Sequence, residues 1–208
     1  DFYAFSGHKC FGPGGVGVLW GRAELLAQMP PFLGGGGMIG EVTPALTTWA
    51  APPQRFEAGT PHVAGVIGLA AAVKYLTALG MDVVRAHEKI LLVYAREKLQ
   101  GIPGISFLGP EDPEERSGVL SFTIAGIHPH DVGSFCDEKG VMIRVGDHCA
   151  RPLHKKLAIP ASCRASFSVY NDLDDIDRLG ETLLDMSRAF GTTHIAIHDQ
   201  YSLPTRHN

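Results

Sequence analysis

Ser6-Gly7-His8-Lys9, continued by Cys10-Phe11-Gly12-Pro13-Gly14-Gly15-Val16-Gly17, sets one lysine at the exit of an apolar stretch. A histidine and a hydroxyl stand beside it, and a glycine-rich turn follows. Asp1-Phe2-Tyr3-Ala4-Phe5 reads as a strand entering a core. Val16-Gly17-Val18-Leu19-Trp20 reads as a second strand beyond the turn. The glycines between them allow backbone to approach a bound ligand closely. A surface lysine amine is protonated at neutral pH and is a poor nucleophile. It becomes a useful one where burial or neighbouring cations favour its neutral form.

A lysine in this setting suits a Schiff base with a carbonyl cofactor, and pyridoxal 5′-phosphate is held by such a lysine. Ser6 and His8 would donate hydrogen bonds to its phosphate. The same residues also read as a surface strand end followed by an ordinary turn, because short motifs recur by chance.

A second segment, Arg144-Val145-Gly146-Asp147-His148-Cys149-Ala150, supplies a candidate nucleophile far along the chain. A thiol attacks as thiolate, so a reactive cysteine needs cationic or dipolar neighbours. Cys149 has His148 beside it, Arg144 five positions back and Arg151 two positions on. Gly146 and Pro152 flank an expected exposed loop. Asp147 places an anion close to the thiol, which on its own would raise the thiol pKa. The alternative is a small buried hydrophobe, the usual fate of a free cysteine. Arg164 is a candidate for holding a carboxylate through two parallel hydrogen bonds, or a strand arginine in an ion pair. Thr60 would either cap a helix starting at Pro61 or hydrogen-bond a phosphate.

Periodicity places the remaining elements. The Gly/Pro-rich residues 30–53 suggest an irregular loop or hairpin. One helix is expected from Pro61 to Gly80, and a longer one from Asp82 to about Leu99, ended by Gly101 and Pro103. A strand over Val119–Ile124 precedes a helix over Pro129–Lys139, closed by Gly140. Strands are expected over Val141–Val145 and Arg164–Tyr170, the latter alternating polar and apolar residues. A last amphipathic helix runs from about Asp174 to Phe190. Residues 111–116 read as a solvated charged loop. Cys10, Cys136 and Cys163 lack acid–base neighbours and read as core or structural residues. No metal-ligand spacing is apparent, because adjacent Asp147, His148 and Cys149 do not converge on one ion.

Composition narrows the class. A chain of 208 residues can form a sizeable core or two modest domains. Eighteen Lys+Arg against 22 Asp+Glu give a net charge of −4, which offers no electrostatic case for nucleic-acid binding. A mean hydropathy of +0.06 and the lack of a long apolar run give no case for a membrane helix. The four cysteines form no CxxC pair, which points to a reduced, cytoplasmic setting.

Phe2-Tyr3-Ala4-Phe5-Ser6-Gly7-His8-Lys9 and the turn after it resemble the cofactor-lysine segment of the group II (SufS-like) cysteine desulfurases, within the class V aminotransferase superfamily. The resemblance continues through Gly34-Gly35-Gly36-Gly37-Met38-Ile39, Arg55 to Pro61, Gly65 to Leu69, His130 to Phe135, Arg144 to Pro152, and Cys163-Arg164-Ala165-Ser166 to Asn171. It covers nearly everything from Asp1 to about Phe190. It implies an α/β, fold-type I pyridoxal-phosphate transferase. Residues 1–92 would end the large cofactor-binding domain, 93–190 would form the small C-terminal α/β domain, and 191–208 a polar tail. It also implies that about half of the enzyme precedes Lys9.

The implied activity converts L-cysteine to L-alanine with a persulfide on Cys149, for sulfur mobilisation and iron–sulfur cluster assembly. In that reading Lys9 and Cys149 are catalytic, and Ser6, His8, Lys9 and Thr60 bind pyridoxal phosphate. Thr60 would act across a homodimer, and Gly34 to Gly37 would serve the same boundary. Arg164 would bind the substrate carboxylate, with Arg144 near the mouth of the site. A SufE- or SufU-like protein would accept the sulfur. Asp147 departs from the family, which often has histidine there. Two other readings are a selenocysteine lyase or other class V enzyme, and a non-catalytic dimerisation or docking module.

Overall fold

A computed structural model describes residues 1–190. The polar tail expected over 191–208 lies outside the described residues. The chain divides into two compact units, Asp1–Gly80 and Met81 onwards. The division falls between the two long helices, whereas the expected boundary at 92/93 lies inside the second of them.

The first unit opens with an antiparallel hairpin of β1 (Phe2–Ser6) and β2 (Gly17–Gly21), paired from Phe2 opposite Gly21 to Ser6 opposite Gly17. The expected strand is present, but it does not enter a core. Tyr3 is 66% exposed and Trp20 57%, so both strands leave large apolar side chains in solvent. Helix α1 (Ala23–Gln28) follows, then a second hairpin of β3 (Ile39–Val42) and β4 (Thr47–Trp49), in the segment expected to be a loop or hairpin. Arg55 ties these pieces together by donating to the carbonyls of Ala50 at 2.9 Å and Ala27 at 2.9 Å.

Helix α2 spans Val63–Leu79. It starts two residues later than the Thr60-Pro61 pattern suggests, because His62 takes a non-helical ψ of 72° at the N-cap. The ring of His62 lies over Gly65, where an added Cβ would stand 2.5 Å from ring carbon Cδ2. The apolar residues of α2 run all round the helix. Only Gly65, Leu69 and Ala72 are buried within this unit, while Val66, Ile67 and Val73 face solvent.

The second unit has a four-stranded antiparallel sheet in the order β5-β6-β8-β7. Its elements run α3 (Met81–Leu99), β5 (Ile105–Leu108), β6 (Val119–Ile124), α4 (Pro129–Glu138), β7 (Arg144–Gly146), α5 (Arg151–Lys156), β8 (Ser162–Ser166) and α6 (Leu173–Ala189). Alternation on β6 buries Leu120, Phe122 and Ile124. Helix α6 presents Ile176, Leu179, Leu183 and Met186 to the same core, spaced along one helical face. Each buried leucine or phenylalanine contributes roughly 1.5–3 kcal/mol by leaving water. A reciprocal capping box of Asp172 and Asp175 starts α6, worth about 1 kcal/mol.

Several boundaries differ from the sequence expectations. The strand expected over Val141–Val145 shrinks to Arg144–Gly146. Val141 N–H donates to Cys136 O at 2.9 Å and Gly140 N–H to Asp137 O at 2.9 Å, so these residues close α4 in a left-handed turn. The strand expected over Arg164–Tyr170 is Ser162–Ser166, since Asn171 folds back to accept from Ser168 N–H at 3.0 Å. Residues 111–116 are docked rather than loose: Arg116 donates to Leu108 O at 2.6 Å, and Glu114 pairs with Lys89 and Arg85. Strand β5 and helices α1 and α5 have no counterpart among the expectations.

Helices α3 and α6 are joined by a polar contact with a consequence for acid stability. Lys98 Nζ lies 2.6 Å from Asp177 Oδ1, and Tyr94 donates to the same oxygen at 2.7 Å. Lys98 first, and then Tyr94, hold the Asp177 carboxyl below its ordinary pKa. A carboxyl depressed in the folded state gives stability that is present above its unfolded pKa and lost as pH falls through the folded one. Asp177→Asn removes this dependence. Its melting temperature is expected to fall less than that of the parent between pH 6 and the low-pH limit, as measured by thermal unfolding across a pH series.

Candidate active site

The lysine segment folds as a short 3-10 turn, Gly7–Lys9, between β1 and β2. Gly7 N–H donates to Val16 O at 2.8 Å, and Gly12 N–H donates to Gly7 O at 2.9 Å, closing the turn on itself. An added Cβ on Gly7 would stand 2.9 Å from Val16, and one on Gly12 would stand 2.9 Å from Gly7 O. The glycines are needed here for close approach of backbone to backbone. Ser6, His8 and Lys9 therefore leave one tight turn together. Lys9 and His8 are exposed and Ser6 is half-buried. Among the described residues Lys9 has no ion-pair partner, so its amine is available to a ligand. Thr60 is exposed and precedes α2 without capping it, since the N-cap position belongs to His62.

This turn fits a phosphorylated aldehyde cofactor by its donor set. An unpaired primary amine, a hydroxyl and an imidazole leave one rigid turn, with the closing backbone bonds independent of all three side chains. Lys9 would hold the aldehyde carbon, and Ser6 and His8 would hold the phosphate.

The thiol segment lies in the second unit, between β7 and α5. Arg144 Nη2 donates to Cys149 Sγ at 3.4 Å, so these two expected site residues meet. Cys149 is exposed, and both it and His148 take left-handed backbone conformations, with φ of 62° and 51°. Non-glycine residues adopt that region only when the surrounding structure holds them there. Asp147 supplies part of the hold. Its Oδ1 accepts from Cys149 N–H at 3.1 Å and its Oδ2 pairs with Arg151 Nε at 3.2 Å. The Cys149 N–H, followed by Arg151, keeps the Asp147 carboxyl below its ordinary pKa. Asp147 thus shapes the turn, and it occupies the arginine that the sequence had offered to the thiol.

His148 does not provide the expected cation beside the sulfur. Its ring turns inward to strand β8, with Nε2 3.0 Å from Ser162 Oγ and 3.1 Å from Ser162 O. Burial first, and then the nearby Arg164 charge, lower its pKa and favour the neutral ring. Arg144 is the cationic partner of Cys149.

Arg164 lies on β8 directly opposite Arg144 on β7. Two like charges facing each other across a strand pair are destabilising unless something offsets them. Among the described residues neither guanidinium has a carboxylate partner, and the Nε of Arg164 is buried with no hydrogen-bond partner. A bound anion such as a carboxylate would offset both charges.

The other thiols are separated from this chemistry by burial. Desolvation pushes Cys136 up to about 11 and Cys163 up to about 12. Both pack in the core of the second unit, as expected, and Cys10 is half-buried beside the lysine turn. Ser162 and His154 were not legible as site residues. Their only signal is His154 four residues after Ala150, a spacing that means something once α5 is known to start there.

The aminotransferase class-V family profile matches residues 1–179. The "Probable cysteine desulfurase 2" of Mycobacterium leprae is 53% identical over 191 residues, covering 92% of this chain and 46% of that protein. Among solved structures, the cysteine desulfurase CsdA (S-sulfonic acid) of Escherichia coli superposes with a TM-score of 0.84 at 41% identity, covering 92% of this chain and 46% of that one. The apo cysteine desulfurase of Thermococcus onnurineus NA1 superposes with a TM-score of 0.87 at 39% identity, covering 91% and 47%. The chain spans about half the length of each of these relatives.

Proposed function

This chain belongs to the class-V aminotransferase family, and on that premise we propose that it carries the lysine and the thiol of a cysteine desulfurase. The observation that carries the reading is the Arg144–Cys149 contact, with the unpaired Arg164 facing Arg144 from the next strand. An exposed thiol with a cationic donor on its sulfur stands one strand from an arginine suited to a carboxylate, which suits attack on an amino acid bearing sulfur. The names of the relatives agree with it.

In this reading Lys9 Nζ would hold pyridoxal phosphate by its aldehyde carbon, with Ser6 and His8 on the phosphate, and the bound group would supply an electron sink for the pair released when the substrate C–S bond breaks. Arg164 binds the substrate carboxylate through paired hydrogen bonds and fixes the orientation of the sulfur. Arg144 stabilises negative charge on Cys149 Sγ. The thiolate attacks the substrate sulfur. The new S–S bond leaves a persulfide on Cys149, the C–S bond breaks, and the carbon takes up a proton to become the methyl of alanine. Lys9 Nζ would be the group that carries this proton. L-Cysteine plus the Cys149 thiol balances L-alanine plus the Cys149 persulfide, so no external oxidant or reductant is required.

The wider assignments rest on the same premise. The exposed apolar faces of β1, β2 and α2 suit burial against further protein, including a second copy in a homodimer with Thr60 reaching its partner's cofactor. A SufE- or SufU-like acceptor would take the persulfide sulfur toward iron–sulfur assembly. A thiol that must cycle between free and persulfide forms suits the reducing cytoplasm.

Incubation of the full-length protein, loaded with pyridoxal phosphate, with L-cysteine tests the proposal. Equal amounts of alanine and of a one-sulfur mass gain on Cys149 are expected in a single turnover. Alanine formed with no sulfur on Cys149 would overturn the assignment of the nucleophile, and no alanine would overturn the activity.

A further inference from the structure

Behind the thiol turn lies a hydrogen-bond chain whose proton positions are fixed by two backbone carbonyls. His154, on α5, is buried; its Nδ1 lies 3.2 Å from Ala150 O. A carbonyl only accepts, so Nδ1 carries a proton; with that one ring proton, Nε2 is the acceptor. That Nε2 lies 3.0 Å from Ser162 Oγ, which must donate to it. His148 Nε2 lies 3.0 Å from the same oxygen and 3.1 Å from Ser162 O. Facing a carbonyl and an oxygen that has already spent its proton, His148 Nε2 is the donor. His148 Nδ1 is then a bare acceptor, and it is the buried ring nitrogen that has no partner among the described residues. An unpaired acceptor is the cheaper of the two possible orphans.

Every proton in this chain therefore runs one way, from His148 to Ser162 to His154 to Ala150 O. Ser162 is fully buried and sits at the centre, with one donor and one acceptor bond. Its backbone also pairs with Gly146, the last residue of β7. The turn is thus tied to β8 before the thiol by Gly146, at the residue next to it by the His148 ring, and after it by the His154 ring. Two residues along the same strand stands Arg164.

We propose that Ser162 is a positioning residue for the Cys149 thiol, whose buried hydroxyl clamps His148 and His154 so that the left-handed turn carrying the sulfur keeps a fixed position relative to Arg164. The clamp stands on the geometry alone. Its catalytic consequence rests on the function proposed above, where a sulfur displaced from its attack position reacts more slowly with unchanged substrate binding.

Amide hydrogen exchange on the full-length holoenzyme, measured together with steady-state turnover of L-cysteine, tests this. Ser162→Ala is expected to speed exchange of the Cys149, Ala150 and His154 amides by about tenfold or more, with β5 and β6 unchanged. It is expected to lower kcat by about tenfold with KM within about twofold. Ser162→Thr, which keeps the hydroxyl, recovers most of both. His154→Phe keeps an aromatic ring and breaks one arm; it should loosen the turn in the same direction and guards against a poorly folded Ser162→Ala. Unchanged exchange in the turn for both Ser162→Ala and His154→Phe overturns the clamp. So does a threonine variant no better than alanine. Loosened turn amides in a protein whose parent forms no persulfide support the clamp and overturn the function, so the two failures are told apart.

Discussion

Cys149→Ala is expected to abolish the persulfide completely and to lower alanine formation from L-cysteine by about a hundredfold or more. The substitution removes the atom that accepts sulfur and leaves its surroundings in place. Asp147 holds the turn through the Cys149 backbone N–H, and Arg144 reaches the sulfur from outside the core. The side chain is exposed, so no cavity is made. The loss should therefore fall on turnover, with melting temperature and cofactor uptake unchanged. Mass spectrometry of the whole protein after exposure to cysteine, beside an assay for alanine, gives both readouts. The same variant distinguishes the sulfur reading from a selenocysteine lyase, since a C–Se bond breaks more readily and depends less on a thiol partner. Retained activity on selenocysteine with none on cysteine is consistent with a desulfurase. Retained activity on both would remove Cys149 from the mechanism.

Much of this arrangement is legible in the sequence, and the reasons differ from segment to segment. The lysine turn declares itself because backbone crowding at Gly7 and Gly12 demands glycine, and glycines leave a readable pattern. Helix α6 and strand β6 announce themselves by period, since each buries one face against one core. Helix α2 is found but its start is misplaced. Thr60-Pro61 satisfies the local rules for a helix beginning, yet the packing of His62 on Gly65 decides where the helix starts. Local capping preference is worth about 1 kcal/mol, and a tertiary contact outweighs it easily. The short pieces are hard for another reason. β5 is a four-residue strand and α5 a six-residue helix, each shorter than the window over which periodicity speaks.

The site shows the same division. Arg144, Cys149 and Arg164 are recognisable as residue types suited to the chemistry, and the β7–β8 register then sets the two arginines face to face. Sequence proximity misleads about the neighbours of the thiol. His148 and Arg151 lie one and two positions from Cys149, but the ring faces Ser162 and the guanidinium faces Asp147. Ser162 carries no signal at all, because its partners stand 14 and 8 positions earlier and meet only after the sheet has formed.

Lys9→Ala should be the most damaging substitution in the first unit, lowering alanine formation by about a thousandfold or more. The turn that presents the lysine is closed by backbone bonds from Gly7 to Val16 and from Gly12 to Gly7, none of which uses the lysine side chain. Among the described residues Lys9 has no ion pair to lose. The fold should therefore survive with its melting temperature nearly unchanged, and the defect should lie in chemistry. Borohydride treatment of the loaded parent protein is expected to fix pyridoxal phosphate on the peptide containing Lys9, and to fix none on the variant. Lys9→Arg should not rescue, because a guanidinium stays protonated at any pH the protein tolerates and cannot bond to an aldehyde carbon. It keeps the positive charge, and so it separates the need for an amine from the need for a cation near a phosphate. If the arginine variant retained more than about a tenth of the parent rate, charge would suffice. The nucleophilic role of Lys9 would then have to be given up, whatever the fate of Cys149.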